Sequence, residues 1–419
     1  MKKNLALLIL SIFWIPIFSG CWGANELDTL GIVTATGLDI ENDEIVATFE
    51  VIKLNPSSKS SSPSGPENAK YIQARGKTIF EAARNASLKF DRRIYLSHDQ
   101  VYVFGEEFAK KGLTDYMDFL QRDHECRETA YLLVSKGSKA YEVMGISSGA
   151  EDLQGIYIGD MMKNSKNTSK AIAVNISEYF RNYYDAGIQP VLGIVEKKEK
   201  KHEKDMELKN KDKYEISVEG SAMFNREKLV GYLNGEETRG YNFVRDKVDN
   251  ATIEFSTVSL DIDSISVPTP KAGGTIDNKD SQIKEYTVVE IIKSKTKNEV
   301  EIQDGKIVLK TNVKIRGTIG EELGNIDTSQ EKVADAIEEA CSKEIKRQIE
   351  KAILKAQKEY KVDIFGYGTL FHIKYPKEWE KIKDNWNDMF SEAEFKVDVN
   401  TEIIRTGLVN TPSNKVKGE

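Results

Sequence analysis

The four histidines are the first side chains that could carry chemistry. His98 is followed by Asp99, and such a carboxylate could orient an imidazole that acts as a general base. No nucleophile elbow, zinc-protease motif or phosphate-binding loop accompanies the pair, so a structural hydrogen bond is the expected role of His98. His202 lies in a charged tract and is expected to be solvated, whereas His372 follows an apolar pair and is expected to pack or cap.

A metal site is the second kind of chemistry to consider. His124 and Cys126 could bind an ion through one imidazole and one thiolate, with Asp123 and Glu125 beside them. A zinc site requires three or four ligands at characteristic spacing, and a second Cys/His pair is absent from the sequence. We therefore expect no metal, no other cofactor and no catalytic residue, and predict that the chain is not an enzyme.

The N-terminal residues predict a covalent modification. A short basic start precedes an almost wholly apolar run at residues 5–18, and Ser19 and Gly20 stand directly before Cys21. These parts form an export signal, because the run is shorter than the ~20 residues of a spanning helix. The last residues resemble the bacterial lipobox, which implies a diacylglyceryl thioether on the Cys21 sulfur; a secreted chain with a chance cysteine is the alternative. Residues 1–20 are thus predicted to be a lipoprotein signal peptide.

A lipid anchor also predicts the location of the chain. Two acyl chains hold a protein stably on a membrane, since each buried methylene contributes ~0.8 kcal/mol. No apolar run of spanning length follows Cys21, so lipid is the only membrane anchor that the sequence predicts. The mature chain is expected on the outer face of a bacterial cytoplasmic membrane. Its net charge of −7 argues against a nucleic-acid partner, because binding to phosphates requires a positive field.

Composition predicts a folded chain of mixed α/β (α+β) class with three consecutive domains. Of the 419 residues, 39% are hydrophobic and 30% are charged, which is typical of globular proteins. Polar tracts at residues 55–68, 196–213 and 268–281 indicate loops or linkers. The predicted units are an N-terminal domain at residues 21–195, a charged linker at 196–213, a small middle domain at 214–267 and a C-terminal domain at 283–410.

The C-terminal domain has the clearest element pattern. Residues 286–300 and 306–319 alternate as two long strands, and the long strands are expected to be antiparallel and packed by a long helix. Thr328 and Glu331 match a capping box that would open this helix, which could run to Tyr360.

An apolar stripe winds around the predicted long helix. Each four-residue step turns ~400°, so the stripe moves about 40° further round per step, and its two ends are expected to pack on different neighbours. Cys341 belongs to the stripe and is expected to be buried and free, although the sequence leaves open whether Cys126 pairs with it. The members of the stripe are Val333, Ile337, Cys341, Ile345, Ile349 and Ile353.

The middle domain contains a predicted helix whose first turn is charged, and this charge favours exposure to solvent. Residues 235–244 suit a helix, and Glu236 and Glu237 lie where carboxylates favour the positive end of the helix dipole. With Arg239 they are expected to be partly exposed. We therefore predict Glu236, Glu237 and Arg239 as a candidate contact with partner proteins.

Several segments, taken together, match one family. Residues 20–39, residues 94–107 and the stretch from Phe119 to Asp123 with Arg127 carry the N-terminal part of the match. Residues 363–368, residues 375–379, Trp386, Phe390 and residues 405–407 carry the C-terminal part. In this order they resemble the Ger(x)C proteins, the lipoprotein C subunits of bacterial spore germinant receptors. His124-Glu125-Cys126 departs from the Pro-x-x that usually follows the Arg-Asp pair.

The resemblance implies three α/β domains in a row, no catalytic residues and a complex with membrane-embedded A- and B-type receptor subunits. We predict a non-enzymatic, lipid-anchored subunit of a spore nutrient germinant receptor, needed for receptor assembly or signalling at the inner spore membrane. Direct nutrient binding stays open. An extracytoplasmic solute-binding lipoprotein is the alternative, although its two doubly wound lobes fit poorly with long paired strands before one long helix. A lipid-anchored hydrolase would need a constellation that the sequence lacks.

Lipidation at Cys21 can be tested directly. Cys21→Ala removes the sulfur that would carry the diacylglyceryl group, so this variant should leave the membrane fraction or remain unprocessed. Mass spectrometry of the wild-type N-terminus should show an acylated Cys21. A mature N-terminus elsewhere, without acyl chains, would rule out the modification.

Overall fold

The computed structural model describes residues 26–53, 68–146, 153–200, 214–256, 286–323, 328 and 330–405. Cys21, His202 and most of the three predicted polar tracts lie outside these residues. The strands are β1 Leu30–Glu41, β2 Glu44–Ile52, β3 Ala69–Gly76, β4 Arg93–Tyr95, β5 Val101–Gly105, β6 Tyr131–Lys136, β7 Val191–Glu199, β8 Tyr214–Ser217, β9 Ser221–Asn225, β10 Lys228–Leu233, β11 Ala251–Ser256, β12 Tyr286–Gln303, β13 Lys306–Glu322 and β14 Glu394–Arg405. The helices are α1 Ile79–Ala86, α2 Glu106–Lys111, α3 Thr114–Arg122, α4 Ala140–Met144, α5 Gln154–Asn164, α6 Ile176–Tyr184, α7 Gly235–Val244, α8 Glu331–Leu354, α9 Tyr367–Lys374, α10 Pro376–Ile382 and α11 Trp386–Glu392.

The first ten strands form one mixed sheet. Its order is β10-β9-β7-β6-β5-β1-β2-β3, while β4 pairs with β1 and β8 pairs with β7. Strands β1, β5, β6 and β7 are parallel, and most of their residues are buried on both faces, as is typical of parallel strands; the end of β7 from Glu196 to Glu199 is more exposed. The hairpin between β1 and β2 turns through Asn42 and Asp43, which have φ values of 50° and 61°. Short polar side chains tolerate this left-handed conformation better than other residues.

Two buried carboxylates attach helices to this sheet. Glu50 on β2 accepts hydrogen bonds from the backbone N–H groups of Gln154 and Gly155, at 2.7 and 2.8 Å, where α5 begins. Asp39 on β1 accepts from the N–H groups at the start of α4, at 2.8 Å from Ala140. The first N–H groups of a helix lack partners within the helix and favour negative charge. Burial raises the pKa of Asp39, although these backbone hydrogen bonds and Lys139 lower it.

The remaining strands form a second sheet with the order β11-β12-β13-β14. Strands β12 and β13 are a long antiparallel pair whose turn, Asp304-Gly305, has φ values of 51° and 77°. This dipeptide favours the left-handed two-residue turn that matches strand twist. The predicted α/β class and the long antiparallel strands packed by a long helix are confirmed.

Residues 214–256 contribute to both sheets. Strands β8, β9 and β10 pair with β7 or with each other and extend the first sheet, whereas β11 pairs with β12 in the second. The described strands of the predicted middle domain at 214–267, which lie within residues 214–256, therefore all belong to these two sheets. Strand β7 runs through Glu199, so the first residues of the predicted charged linker at 196–213 belong to the first sheet.

Helix α8 packs on different neighbours at its two ends, as its winding stripe predicts. Near its start, Glu338 accepts a hydrogen bond from the N–H of Ile403 on β14 at 2.7 Å. Near its end, Gln348 contacts α7. All six residues of the stripe are buried. The helix begins later than the predicted capping box, because its N-cap residue is Gln330 rather than Thr328. It continues as a π-helical turn from Lys355 to Glu359.

The packing of α8 predicts that Ile337→Asp and Ile353→Asp both destabilise the protein. Each change buries an unpaired carboxylate, which costs several kcal/mol. Chemical denaturation should show a lower free energy of unfolding for both variants. Lys346→Asp, on the exposed side of the same helix, is the control and should change it by less than about 1 kcal/mol. An unchanged stability for either core variant would contradict the packing at that end.

Candidate functional site

The histidines within the described residues do not assemble a catalytic arrangement. His98 is exposed, with its ring centroid 6.1 Å from that of Tyr95, so it is not the buried hydrogen-bonding group predicted from the sequence. Asp99 is buried and accepts a hydrogen bond from Thr36 at 2.5 Å. Burial raises the pKa of Asp99 well above its ordinary value. His372 stacks on Trp379 at 5.4 Å, which confirms the predicted packing role.

The residues of the sequence-based metal candidate do not converge. The side chain of His124 is 93% exposed, whereas the Cys126 thiol accepts a hydrogen bond from the Tyr102 hydroxyl at 3.6 Å. Burial raises the pKa of Cys126 to about 12, so its thiol stays protonated. Among the described residues, no group of three His, Cys, Asp or Glu side chains could hold a metal ion. Cys126 and Cys341 are both free thiols.

Arg239, one of the three residues of the predicted partner contact on α7, lies inside the molecule. Arg239 is only 4% exposed, and its guanidinium donates to Gln348 on α8 at 2.8 Å and to the carbonyl of Thr252 on β11 at 2.6 Å. The prediction that Arg239 is a surface residue was therefore wrong. The local charge pattern suggested exposure, but α7 is covered by both α8 and the second sheet.

The two carboxylates of the predicted contact also bond within the chain. Glu236 pairs with Arg347 at 3.0 Å and with Lys351 at 3.4 Å, so it faces α8. Glu237 pairs with Lys355 at 2.8 Å and completes a capping box with Asn234. Partly exposed pairs of this kind contribute at most about 1 kcal/mol each. They orient α7 on α8 but are weaker than the buried contacts beside them.

Close backbone packing accompanies the buried arginine. A Cβ at Gly240 would lie 2.2 Å from the carbonyl oxygen of Gln348, so α7 and α8 can approach this closely only at a glycine. Burial lowers the pKa of Arg239, while the carboxylates of Glu236 and Glu344 act in the opposite direction. An arginine stays charged in proteins, so the cation is held by hydrogen bonds in the interior.

A second junction depends on Asp363, whose role the sequence did not predict. Its buried carboxylate accepts hydrogen bonds from the N–H groups of Phe365, Gly366 and Gly368 and from the indole of Trp386, at 2.8–3.0 Å. Gly366 has a φ of 84°, which favours glycine. The spacing Asp-x-x-Gly-x-Gly was a usable signal, because such a carboxylate often closes a tight loop onto backbone donors.

The loop held by Asp363 is hydrogen-bonded to chain segments that lead into the first sheet and out of α7. The N–H of Gln189, just before β7, donates to the carbonyl of Asp363 at 2.8 Å. Arg245, at the end of α7, donates to the carbonyl of Phe365 at 2.6 Å. The loop and α7 therefore join the segments that build the two sheets. Within the described residues, no helix combines the length and apolar character that crossing a bilayer requires.

Comparisons with known proteins agree with this architecture. A model described as spore germination protein N-terminal domain matches residues 23–197, and one described as spore germination B3/GerAC like, C-terminal, matches residues 219–407. Spore germination protein KC of Bacillus subtilis (strain 168) is 27% identical and the match covers 98% of both chains. Spore germination protein B3 of the same strain is 28% identical over 95% of this chain and 96% of the relative.

A solved structure has the same fold. The crystal structure of the GerBC protein aligns with a TM-score of 0.52 at 21% identity, and the match covers 88% of this chain and 96% of that one. The two family models and the relatives match along nearly the whole chain, which places it in the class of spore germination proteins. Within that class, this chain belongs to the Ger(x)C family.

The buried position of Arg239 predicts that Arg239→Glu destabilises the protein. The new carboxylate would lose both hydrogen bonds and would face Glu236 and Glu344, so we expect a loss of about 3 kcal/mol or more. Arg181→Glu, on the exposed face of α6, is the matched control and should change stability by about 0.5 kcal/mol or less. Equal denaturation midpoints for the two variants would contradict the buried contact.

Proposed function

We propose that this chain is a non-enzymatic, lipid-anchored subunit of a spore nutrient germinant receptor. It associates with membrane-embedded A- and B-type subunits on the outer face of the inner spore membrane and serves receptor assembly or signalling. The observation that carries this proposal is the match to both germination domains, in order, over nearly the whole chain. The curated relatives match at similar length, which favours the same kind of role rather than a shared domain in a different protein.

The lipid anchor would hold the first sheet close to the membrane. Cys21 stands nine residues before Leu30, where β1 begins in the interior of that sheet. Nine residues span at most about 30 Å when fully extended. The end of the sheet at which β1 starts would therefore lie near the lipid headgroups, within reach of the exposed parts of membrane-embedded subunits.

The chemistry of the buried carboxylates supports a structural role. Glu50, Asp39 and Asp363 all accept backbone N–H groups and so hold helix starts or a tight loop. A general base must instead reach the proton of a substrate. Asp99 is buried beside Thr36, while the neighbouring imidazole of His98 is exposed, so the two do not form a base and its orienting group.

A genetic experiment tests this function. Deleting the chain should abolish germination in response to one class of nutrient, while responses through other receptors persist. His98→Ala and His372→Ala should retain the response, since neither side chain is assigned a chemical step. Loss of germination in His98→Ala, with the protein stable and assembled, would favour an enzyme. Tight nutrient binding by the purified full chain, without partner subunits, would favour the solute-binding alternative.

A further inference from the structure

An open groove lies between α1 and α3 on the first domain. It encloses about 640 Å³ and is lined by Phe80, Tyr116 and Phe119 together with three arginines, Arg84, Arg93 and Arg122. Arg122 and Asp123, the Arg-Asp pair of the family-like segment, also line the groove. Neither the fold nor the proposed function described above assigns this pair a role.

The floor of the groove keeps aromatic surface in contact with solvent. The Phe80 side chain is 47% exposed, although its neighbours on α1, Ile79 and Ala82, are buried in the core. The ring centroids of Phe80 and Phe119 are 6.1 Å apart, so two helices present their aromatic rings to the same space. Large exposed apolar side chains that cluster beside polar groups often mark interaction sites.

Among the described residues that line the groove, one arginine has no carboxylate partner. Arg93 pairs with Glu125 and Arg122 pairs with Asp118, each at 2.7 Å. The carboxylate of Asp123 accepts the N–H of Glu125 at 2.9 Å. Arg84 lies over the ring of Phe80 at 4.7 Å, and among the described residues no carboxylate pairs with it. An incoming carboxylate would complement Arg84.

The groove lies at the end of the sheet where the chain enters β1. Arg93, which lines the groove, is the direct neighbour of Leu30, the first residue of β1. A lipid on Cys21 would therefore keep the groove within a few tens of ångströms of the headgroups, because the intervening chain spans at most about 30 Å. Membrane-embedded subunits expose their aqueous loops at this level.

We propose that this groove binds an aqueous-facing segment of a membrane-embedded partner subunit, in which an apolar side chain lies one or two residues from a carboxylate. The apolar side chain packs on Phe80 and Phe119, and the carboxylate pairs with Arg84. This assignment rests on the proposed receptor function and names the surface through which the subunits meet.

The groove is less suited to other occupants. A small-molecule site typically buries most of its ligand, whereas this groove has an open rim at Arg122 and His124, whose side chains are 79% and 93% exposed. An anionic lipid surface is disfavoured by the acidic groups at the same rim, namely Asp118, Asp123 and Glu125. A peptide segment can match both the apolar floor and the guanidinium of Arg84.

Co-purification of the receptor from membranes tests the groove. Phe80→Ala and Arg84→Glu in the full chain should each reduce recovery of the membrane-embedded subunits by at least about tenfold, as truncation of interface anchors usually does. Ile373→Ala and Arg181→Glu are the controls, because both positions are exposed and lie outside the groove. Thermal unfolding of all four full-length variants should match the wild type.

A photocrosslink identifies the occupant. A photoreactive phenylalanine analogue in place of Phe80 should give an adduct with a loop of a partner subunit, next to an Asp or Glu. Reversing that carboxylate to arginine should restore the complex of Arg84→Glu. An adduct with lipid, or undiminished complexes in both groove variants, would overturn the assignment while leaving the receptor function intact. Failure of the wild-type chain to co-purify with any such subunit would instead overturn the receptor function itself.

Discussion

The close packing of α7 on α8 at Gly240 is the constraint on which the joining of the two sheets depends. The backbones of the two helices are in contact at Gly240. The adjacent Arg239 is buried and donates hydrogen bonds to both α8 and β11. Further along α7, the side-chain amide of Asn242 donates to the carbonyls of Ser169 and Ala171 at 2.9 and 3.1 Å. These carbonyls lie in the segment that connects α5 to α6 beside the first sheet. One ten-residue helix thus touches both halves of the molecule.

The apolar packing agrees with this joint. A single buried cluster extends from Phe49 and Phe104 in the first sheet, through Tyr241 on α7, to Ile315 and Ile345 in the second unit. The hydrophobic contribution grows with the apolar area removed from water, at roughly 25 cal/mol per Å². A continuous cluster therefore resists relative motion of the sheets more than a polar linker would. Such rigidity would suit the proposed role, in which the chain holds a fixed geometry between the proposed lipid anchor and the proposed partner subunits.

The sequence predicted local elements well and long-range placement poorly. Alternation and turn residues located β12, β13 and α7, because these patterns depend on neighbours within a few residues. The pairing of β9 with β7 across an intervening strand and tract could not be deduced, because strand partners are set by the whole fold. Arg239 was misplaced for the same reason: its charge suggested solvent, but two layers distant in sequence cover it. The capping signature at Thr328 also failed, since α8 has its N-cap at Gln330.

The open groove and the proposed lipid anchor are physically complementary. A shallow site with one exposed ring, one half-buried ring and, among the described residues, one arginine without a carboxylate partner offers few strong contacts, so its intrinsic affinity for a peptide segment is expected to be modest. A short tether to the same membrane converts binding into a nearly intramolecular step with an effective concentration of about a millimolar. Under that condition a weak contact at Phe80 and Arg84 is sufficient for stable occupancy. The anchor would then contribute to assembly without touching the partner, because it confines the groove to the layer in which the partner's loops lie.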